Sequence, residues 1–227
     1  MHLPFPVLYE DETLIAIDKP SGILVHRTRI SEDDTFVLQR LRDQIGQRLY
    51  PVHRLDRGTS GVLLLAKTAA LAAYMGEQFR NGAVNKTYQA IVRGYVEAAA
   101  TIDYPLANAR GNNPQPACTA YHRLAQWECP HSVGRYPASR YSWVEVHPQS
   151  GRFHQIRRHF SHIRHPLIGD KKHGDVNHNR FFREEWGIGR LLLHATRLQF
   201  FTPEGAWQEI ACPPGADFQA ALARLGR

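Results

Sequence analysis

The sequence predicts an α+β fold: a mixed, mostly antiparallel central sheet flanked by helices and loops. Three observations carry this. Short apolar runs with period-two alternation recur along the chain, periodicities of three and four are confined to a few segments, and Gly-, Pro- and Asn-rich turns separate them. No repeat or low-complexity run forces a boundary, so the 227 residues are expected to form a single domain, 1–227. A content of 43% hydrophobic and 22% charged residues excludes wholesale disorder.

Val7-Leu8-Tyr9 and Leu14-Ile15-Ala16-Ile17 predict a strand pair around the acidic turn Glu10-Asp11-Glu12. Lys19-Pro20-Ser21-Gly22 stops the second strand, because proline fixes φ and glycine permits a sharp reversal. Ile23-Leu24-Val25 is a short apolar run. Ser31 to Leu49 reads as a helix, with Phe36, Val37, Leu41 and Ile45 as its stripe and acidic residues at its start. Val62 to Ala66 reads as a buried strand. Thr68 to Arg80 is a second helix, capped by Thr68, carrying Leu71, Tyr74, Met75, Gln78 and Phe79 on one face and ended by Asn81-Gly82. Lys86 to Val92 predicts a strand with Tyr88, Ala90 and Val92 on one side. Asn108 to Ala117 and Ser132 to Arg140 are turn-rich, and Tyr141 to Val146 alternates as a half-buried strand does.

From Gly151 to His165 the spacing predicts a helix with Phe153, Ile156, Phe160 and Ile163 toward the core. His154, Arg158, Ser161 and His165 then form a basic outer face, and Arg157 lies on the flank, about 100° round from Ile156. His159, His162 and His165 do not suggest a metal centre: spacings of three fan them over about 120° and nearly two turns of a helix, and no acidic or cysteine partner is near in sequence. No metal site is expected.

The formal charge of +7 points to a polyanionic partner. Cys118, Cys129 and Cys212 are odd in number and widely spaced, which fits a reducing cytoplasm rather than a disulfide framework. No signal-peptide pattern and no run of about 20 apolar residues is present, so no membrane association is expected. A monomer is the expectation.

The segment that carries chemistry is His53-Arg54-Leu55-Asp56, followed by Arg57-Gly58-Thr59-Ser60-Gly61. An aspartate flanked by arginines in an otherwise apolar, glycine-punctuated context is either neutralised by an arginine or kept reactive. The segment resembles the HRLDxxTSG motif of the RluA-type pseudouridine synthases at every fixed position. Further matches follow in the family's order: Lys86-Thr87-Tyr88 to KxY, Gly151 to Arg157 to GRxHQ[IL]R, His165 to Asp170 to HPxxGD, and Leu193-His194-Ala195 with Leu198 and Phe200 to LHAxxLxF. Asp18-Lys19-Pro20-Ser21-Gly22 is similar to the family's NKPxG turn, with Asp18 where asparagine is usual. The resemblance spans nearly the whole chain and implies the pseudouridine synthase fold. The chain starts almost at the first core strand, so no separate S4-type RNA-binding domain is expected.

The resemblance implies an isomerase that breaks the N1–C1′ bond of a uridine in RNA, turns the ring and joins C5 to C1′. No net redox change or hydrolysis occurs, so it implies no cofactor. Asp56 is the catalytic carboxylate it designates, as nucleophile, base or both. Arg157 would keep Asp56 ionised, since a nearby guanidinium opposes protonation by desolvation. Tyr88 would stack on the uracil and could accept the C5 proton, with Leu193 beneath the base. Arg54 would hold the target nucleotide out of its stack. Arg57, Arg152, Arg158, Arg164, Lys171 and Lys172 are the candidate phosphate contacts.

A finer resemblance favours tRNA, at uridine 65 of the T-stem, over ribosomal RNA. It rests on Arg42 to Gln47, on Gly134-Arg135-Tyr136-Pro137 with Arg140-Tyr141, and on Gly169 to Asp175 with Asn179. Two other classes compete. A non-catalytic RNA-binding protein gives no reason for a charged aspartate facing RNA, and a glycosidic hydrolase would ordinarily need a second carboxylate.

Overall fold

The computed structural model describes residues 4–26, 35–108 and 110–226. Ten strands and five helices are seen among them. The chain divides into two compact units, Met1–Lys86 with Ala195–Pro213, and Thr87–His194 with Pro214–Arg227.

In the first unit, β1 (Val7–Glu10), β2 (Leu14–Lys19) and β4 (Ser60–Ala66) lie side by side, followed by β9 (Leu193–Phe201), whose first two residues belong to the second unit. The two-residue β3 (Tyr50–Pro51) pairs with β4, and β10 (Trp207–Ala211) pairs with β9. The β1–β2, β2–β4, β3–β4 and β9–β10 pairings are antiparallel. β4 is buried along its whole length, as expected of an uninterrupted apolar run. Leu14, Ala16, Val62, Leu64, Leu198 and Phe200 pack there against Leu71 and Met75 of α2 (Ala69–Asn81). The Thr68 side chain accepts from the Leu71 N–H at 3.2 Å, and Gly82 closes α2 in the left-handed region, as its sequence signals predict. Gly61 opens β4 at φ +106°, and a Cβ there would lie 2.2 Å from the Ala195 carbonyl oxygen, so only glycine fits.

The first predicted helix is shorter than expected. α1 spans Val37–Ile45 with Phe36 as its N-cap, and Ser31 to Asp34 lie outside the described residues. The carbonyls of Leu24 and Val25 accept from Val37 and Leu38, so this apolar run serves the helix start and not a sheet.

In the second unit the strand order is β5 (Asn85–Arg93), β8 (Ser139–Pro148), β7 (Cys118–Cys129) and β6 (Ala99–Asp103), with antiparallel pairings. Tyr88, Ala90 and Val92 share one face of β5, as predicted. They pack with Val144, Val146, Leu167 and Leu193 against Ile156 and Phe160 of α3 (Gln155–His162). The opposite face is covered by Phe182 of α4 (Val176–Trp186) and by Phe218, Ala221 and Leu225 of α5 (Ala216–Leu225). The alternation predicted for β8 holds from Ser142 to Val146, with Trp143 and Glu145 partly exposed, but Tyr141 departs from it and is fully buried among Phe182 and the α5 residues. No helix among the described residues is long and apolar enough to cross a membrane. Strands, helices and pairing agree with the α+β expectation.

Candidate active site

The first unit supplies the aspartate loop, which is built from two short segments. Leu55 and Val52 are buried and anchor it, while Arg54 and Arg57 are exposed and Asp56 is half-buried. The Asp18 to Gly22 turn holds residues 57–59. Lys19, fully buried, donates all its ammonium protons to carbonyls: Pro20 at 2.9 Å, Thr59 at 2.8 Å and Arg57 at 3.3 Å. The Ser21 hydroxyl donates to the Gly58 carbonyl at 2.7 Å, Gly22 N–H donates to the Arg57 carbonyl, and Arg57 Nε returns a bond to Gly22. A buried charge is tolerated when hydrogen bonds consume it. From the sequence Lys19 reads only as part of a turn; its signal is a cation next to proline at the end of a buried strand.

His53 fixes the other side of the loop. Its Nε2 accepts from the Leu64 N–H at 2.9 Å, and its ring stacks on Phe79 with centroids 4.7 Å apart. Burial, with the Lys86 ammonium nearby, pushes this imidazole down to about 3, so it stays neutral and keeps the acceptor nitrogen. Burial also pushes Lys86 down to about 8. Because the folded value is below the ordinary Lys value of about 10.4, the unfolded chain alone keeps this proton between about pH 8 and 10.4. Stability therefore gains from Lys86 as pH rises through that window. Lys86→Met is expected to remove that gain, on the order of 1–3 kcal/mol, in urea titrations at pH 7.5 and 9.5. Cys212, raised to about 12 by burial and Asp18, works oppositely in both proteins, so the difference between them is the readout. Parallel curves would remove Lys86 as the source.

The second unit supplies Arg157 on α3. The helix is shorter than Gly151 to His165 because His154 sits at φ +53° as its N-cap and Arg164 at φ +63° after its end. The guanidinium is buried and held bidentately by Asp170: Nε to Oδ2 and Nη2 to Oδ1, both 2.7 Å. Asp170 also accepts from the Lys172 and His173 backbone N–H groups, at 2.9 and 3.0 Å. Burial alone would raise its carboxyl. The hydrogen bonds and charge of Arg157, with the two N–H groups, outweigh that and hold it below the ordinary carboxylate range. Asp170 is reached through Gly169, at φ +78°, where a Cβ would lie 1.8 Å from the Arg190 carbonyl oxygen. The sequence showed the GD turn but gave Asp170 no role.

The basic outer face predicted for this helix is largely consumed by the protein itself, a correction to the sequence reading. Arg158 Nη1 donates to the Ala107 and Phe153 carbonyls at 2.6 and 3.3 Å. His159 is fully buried between the Thr119 hydroxyl and the Tyr104 carbonyl. His162 stacks on Tyr104 and His165 bonds the Arg93 carbonyl, so the three histidines have separate fates. His154 Nδ1 lies 2.9 Å from His173 Nε2. Arg164, Lys171 and Lys172 are exposed, and exposed Arg152 reaches the Pro116 carbonyl. Tyr88 is half-buried on β5, and Leu193 is a core residue at 3% exposure.

Each unit thus carries one fixed charged element: in the second, a buried guanidinium clamped by a dedicated carboxylate, and in the first, an aspartate on a loop fastened by a buried lysine. Residues 13–162 match the family described as RNA pseudouridylate synthase, and the chain belongs to that family. More particularly, it is similar to the tRNA pseudouridine synthase C of Vibrio cholerae, 46% identical over 233 aligned positions, covering 97% of this chain and 95% of the relative. The protein of the same name from Pectobacterium carotovorum is 50% identical over 208 residues, covering 87% of this chain and 55% of that longer relative. Among solved structures, human RNA Pseudouridylate Synthase Domain Containing 4 aligns with TM-score 0.76 at 26% identity, covering 97% of this chain and 93% of the other. Human RNA Pseudouridylate Synthase Domain Containing 1 gives 0.74 and 26%, covering 94% and 86%. These neighbours share the fold predicted from the sequence.

Proposed function

We propose that this chain converts uridine 65 in the T-stem of tRNA to pseudouridine. The observation that carries the reading is the aspartate loop, matched to its family motif at every fixed position and fastened by Lys19. The target is supported by relatives near 46–50% identity that bear the name tRNA pseudouridine synthase C. In the reaction the N1–C1′ bond breaks, the uracil turns, C5 bonds to C1′, the C5 proton leaves and N1 regains one. Asp56 is the carboxylate that acts at the sugar or the ring. Tyr88 stacks on the uracil and accepts the C5 proton. Arg157 is the cation of the reaction centre, Leu193 packs beneath the base, and Arg54 holds the flipped nucleotide. Arg57, Arg152, Arg158, Arg164, Lys171 and Lys172 contribute to phosphate binding, most of it from the exposed members.

The test is incubation with unmodified tRNA and ribosomal RNA fragments, followed by carbodiimide-dependent primer extension. A single stop at uridine 65 is the expected result. Stops confined to ribosomal RNA would keep the chemistry and overturn the target. Binding without any stop would favour a non-catalytic RNA-binding protein.

A further inference from the structure

A cavity in the second unit lies away from Arg157 on its helix and has no part in the chemistry above. Its walls are the tip of the β7–β8 hairpin (Val133, Gly134, Arg135, Tyr136), Arg93 of β5, and Asp175, Asn177 and His178 at the start of α4. Its volume is about 180 Å³, space for about six waters at the liquid's roughly 30 Å³ each. That is the scale of one planar heterocycle.

The polar groups say what kind of ligand fits. Asp175 accepts from the Asn177 and His178 N–H groups and so caps α4. It also pairs with Arg93 at 2.6 Å. The helix N-terminus is therefore already occupied by a carboxylate and Arg93 already neutralised. A phosphate entering here would meet that carboxylate. His178 is engaged by the buried Tyr141 hydroxyl at 2.9 Å, and burial, ahead of nearby charges, lowers its imidazole. An uncharged ligand with donors and acceptors suits this floor better than an anion.

The hairpin supplies the stacking surface. Tyr136 is 58% exposed, and it is held in place: Arg135 lies over its ring at 5.0 Å and donates to its hydroxyl at 2.9 Å. An exposed aromatic fixed by a cation from its own loop is a platform for a base. The exposed Asn177 carboxamide, whose Oδ1 accepts one long bond from Arg180 Nη2 at 3.4 Å, keeps a second lone pair beside its amide donor, the pair that reads a base edge. The cavity is joined to the Arg157 clamp by Asp170 to Asp175, a turn closed by the Gly174 N–H on the Asp170 carbonyl and carrying exposed Lys171 and Lys172.

We infer that this cavity is a second RNA subsite, which takes one unstacked base of the substrate other than the target uridine. The inference rests on the RNA-modifying reading and sharpens it: a base seated here fixes the RNA relative to the turn that holds Arg157. Its occupant is a nucleobase, recognised by stacking on Tyr136 and hydrogen bonding to Asn177.

The probe is unmodified tRNA transcript, with Tyr136→Ala, Asn177→Ala and Tyr136→Trp compared with the wild type after melting curves establish folding. Kd across a salt series and KM and kcat for pseudouridine formation are measured. Tyr136→Ala is expected to raise Kd and KM together, about 5- to 100-fold, the scale of one lost base stack. It should leave the slope of log Kd on log salt unchanged, because no phosphate contact is lost. Asn177→Ala should raise both less, and Tyr136→Trp should restore binding, which a role for the hydroxyl alone would not allow. Wild-type Kd in both alanine variants would overturn the subsite, as would a shallower salt slope in Tyr136→Ala, the mark of a phosphate site. The two readings fail separately. Pseudouridine formed at wild-type KM by Tyr136→Ala sinks the subsite alone, whereas weakened tRNA binding in that variant with no pseudouridine made by the wild type sinks the enzymatic reading alone.

Discussion

Asp170→Ala is expected to destabilise the second unit by about 3–5 kcal/mol, the cost of leaving one member of a buried ion pair alone. The Asp170 side chain has no exposure and that of Arg157 has 11%. Four hydrogen bonds converge on the carboxylate, two from Arg157 and two from backbone N–H groups. Alanine removes them all. The pH dependence has a definite sign. The folded carboxyl is held below its ordinary value of about 3.9, so its contribution is complete above that value and is lost as pH falls through the folded one. Urea unfolding followed by tryptophan fluorescence should show a gap between wild type and variant that is constant from pH 7 to 5 and closes below about pH 4. Asp170→Asn keeps the shape and loses the charge, so it should fall between the two. A gap under about 1 kcal/mol at neutral pH, the scale of a surface pair, would mean that the clamp is solvated and that Arg157 is held by other means.

The clamp also marks how far the sequence could be read. The α2 boundaries were legible because Thr68 and Gly82 act on backbone groups adjacent to them, and the side of β5 carrying Tyr88, Ala90 and Val92 was legible because strand alternation is local. The aspartate loop was legible through its motif. What could not be read depends on residues distant in the chain. The outer face of α3 reads as basic because Arg158 and His165 fall opposite the apolar stripe, yet the carbonyls that engage them belong to Ala107 and Arg93, more than fifty residues earlier. Tyr141 reads as part of a half-buried strand because nothing near it in sequence announces that α4 and α5 will cover it. Lys19 and Asp170 were both visible within motifs, but their roles appear only when the partners are known. A buried lysine is explicable once three carbonyls surround it, and a buried aspartate once a guanidinium does.

Asp56→Asn should abolish turnover, by about ten-thousand-fold or more, the scale seen when a residue acting directly in covalent or proton-transfer chemistry is removed. The choice of asparagine is what gives the result meaning. Its side chain has nearly the shape of aspartate and still accepts a hydrogen bond, so a loop-capping role would survive the substitution, with activity largely retained. It cannot act as a carboxylate nucleophile or base, so a chemical role would not survive. Affinity for unmodified tRNA should be unchanged or tighter, because a negative charge facing a polyanion has been deleted. Lys19→Met supplies the contrast. It leaves Asp56 in the chain but takes the donor from three carbonyls around the loop, each costing about 1–3 kcal/mol if left unsatisfied. Its signature should be a lowered melting temperature together with a partial loss of kcat, on the order of 10- to 100-fold, since a displaced group of about 1 Å can cost that much. Single-turnover rates at saturating enzyme separate the two: with Asp56→Asn no product should form in the time that Lys19→Met, slowed but competent, takes to convert its substrate fully. Full activity in Asp56→Asn would remove the carboxylate from the chemistry and leave the fastened loop with a purely structural purpose.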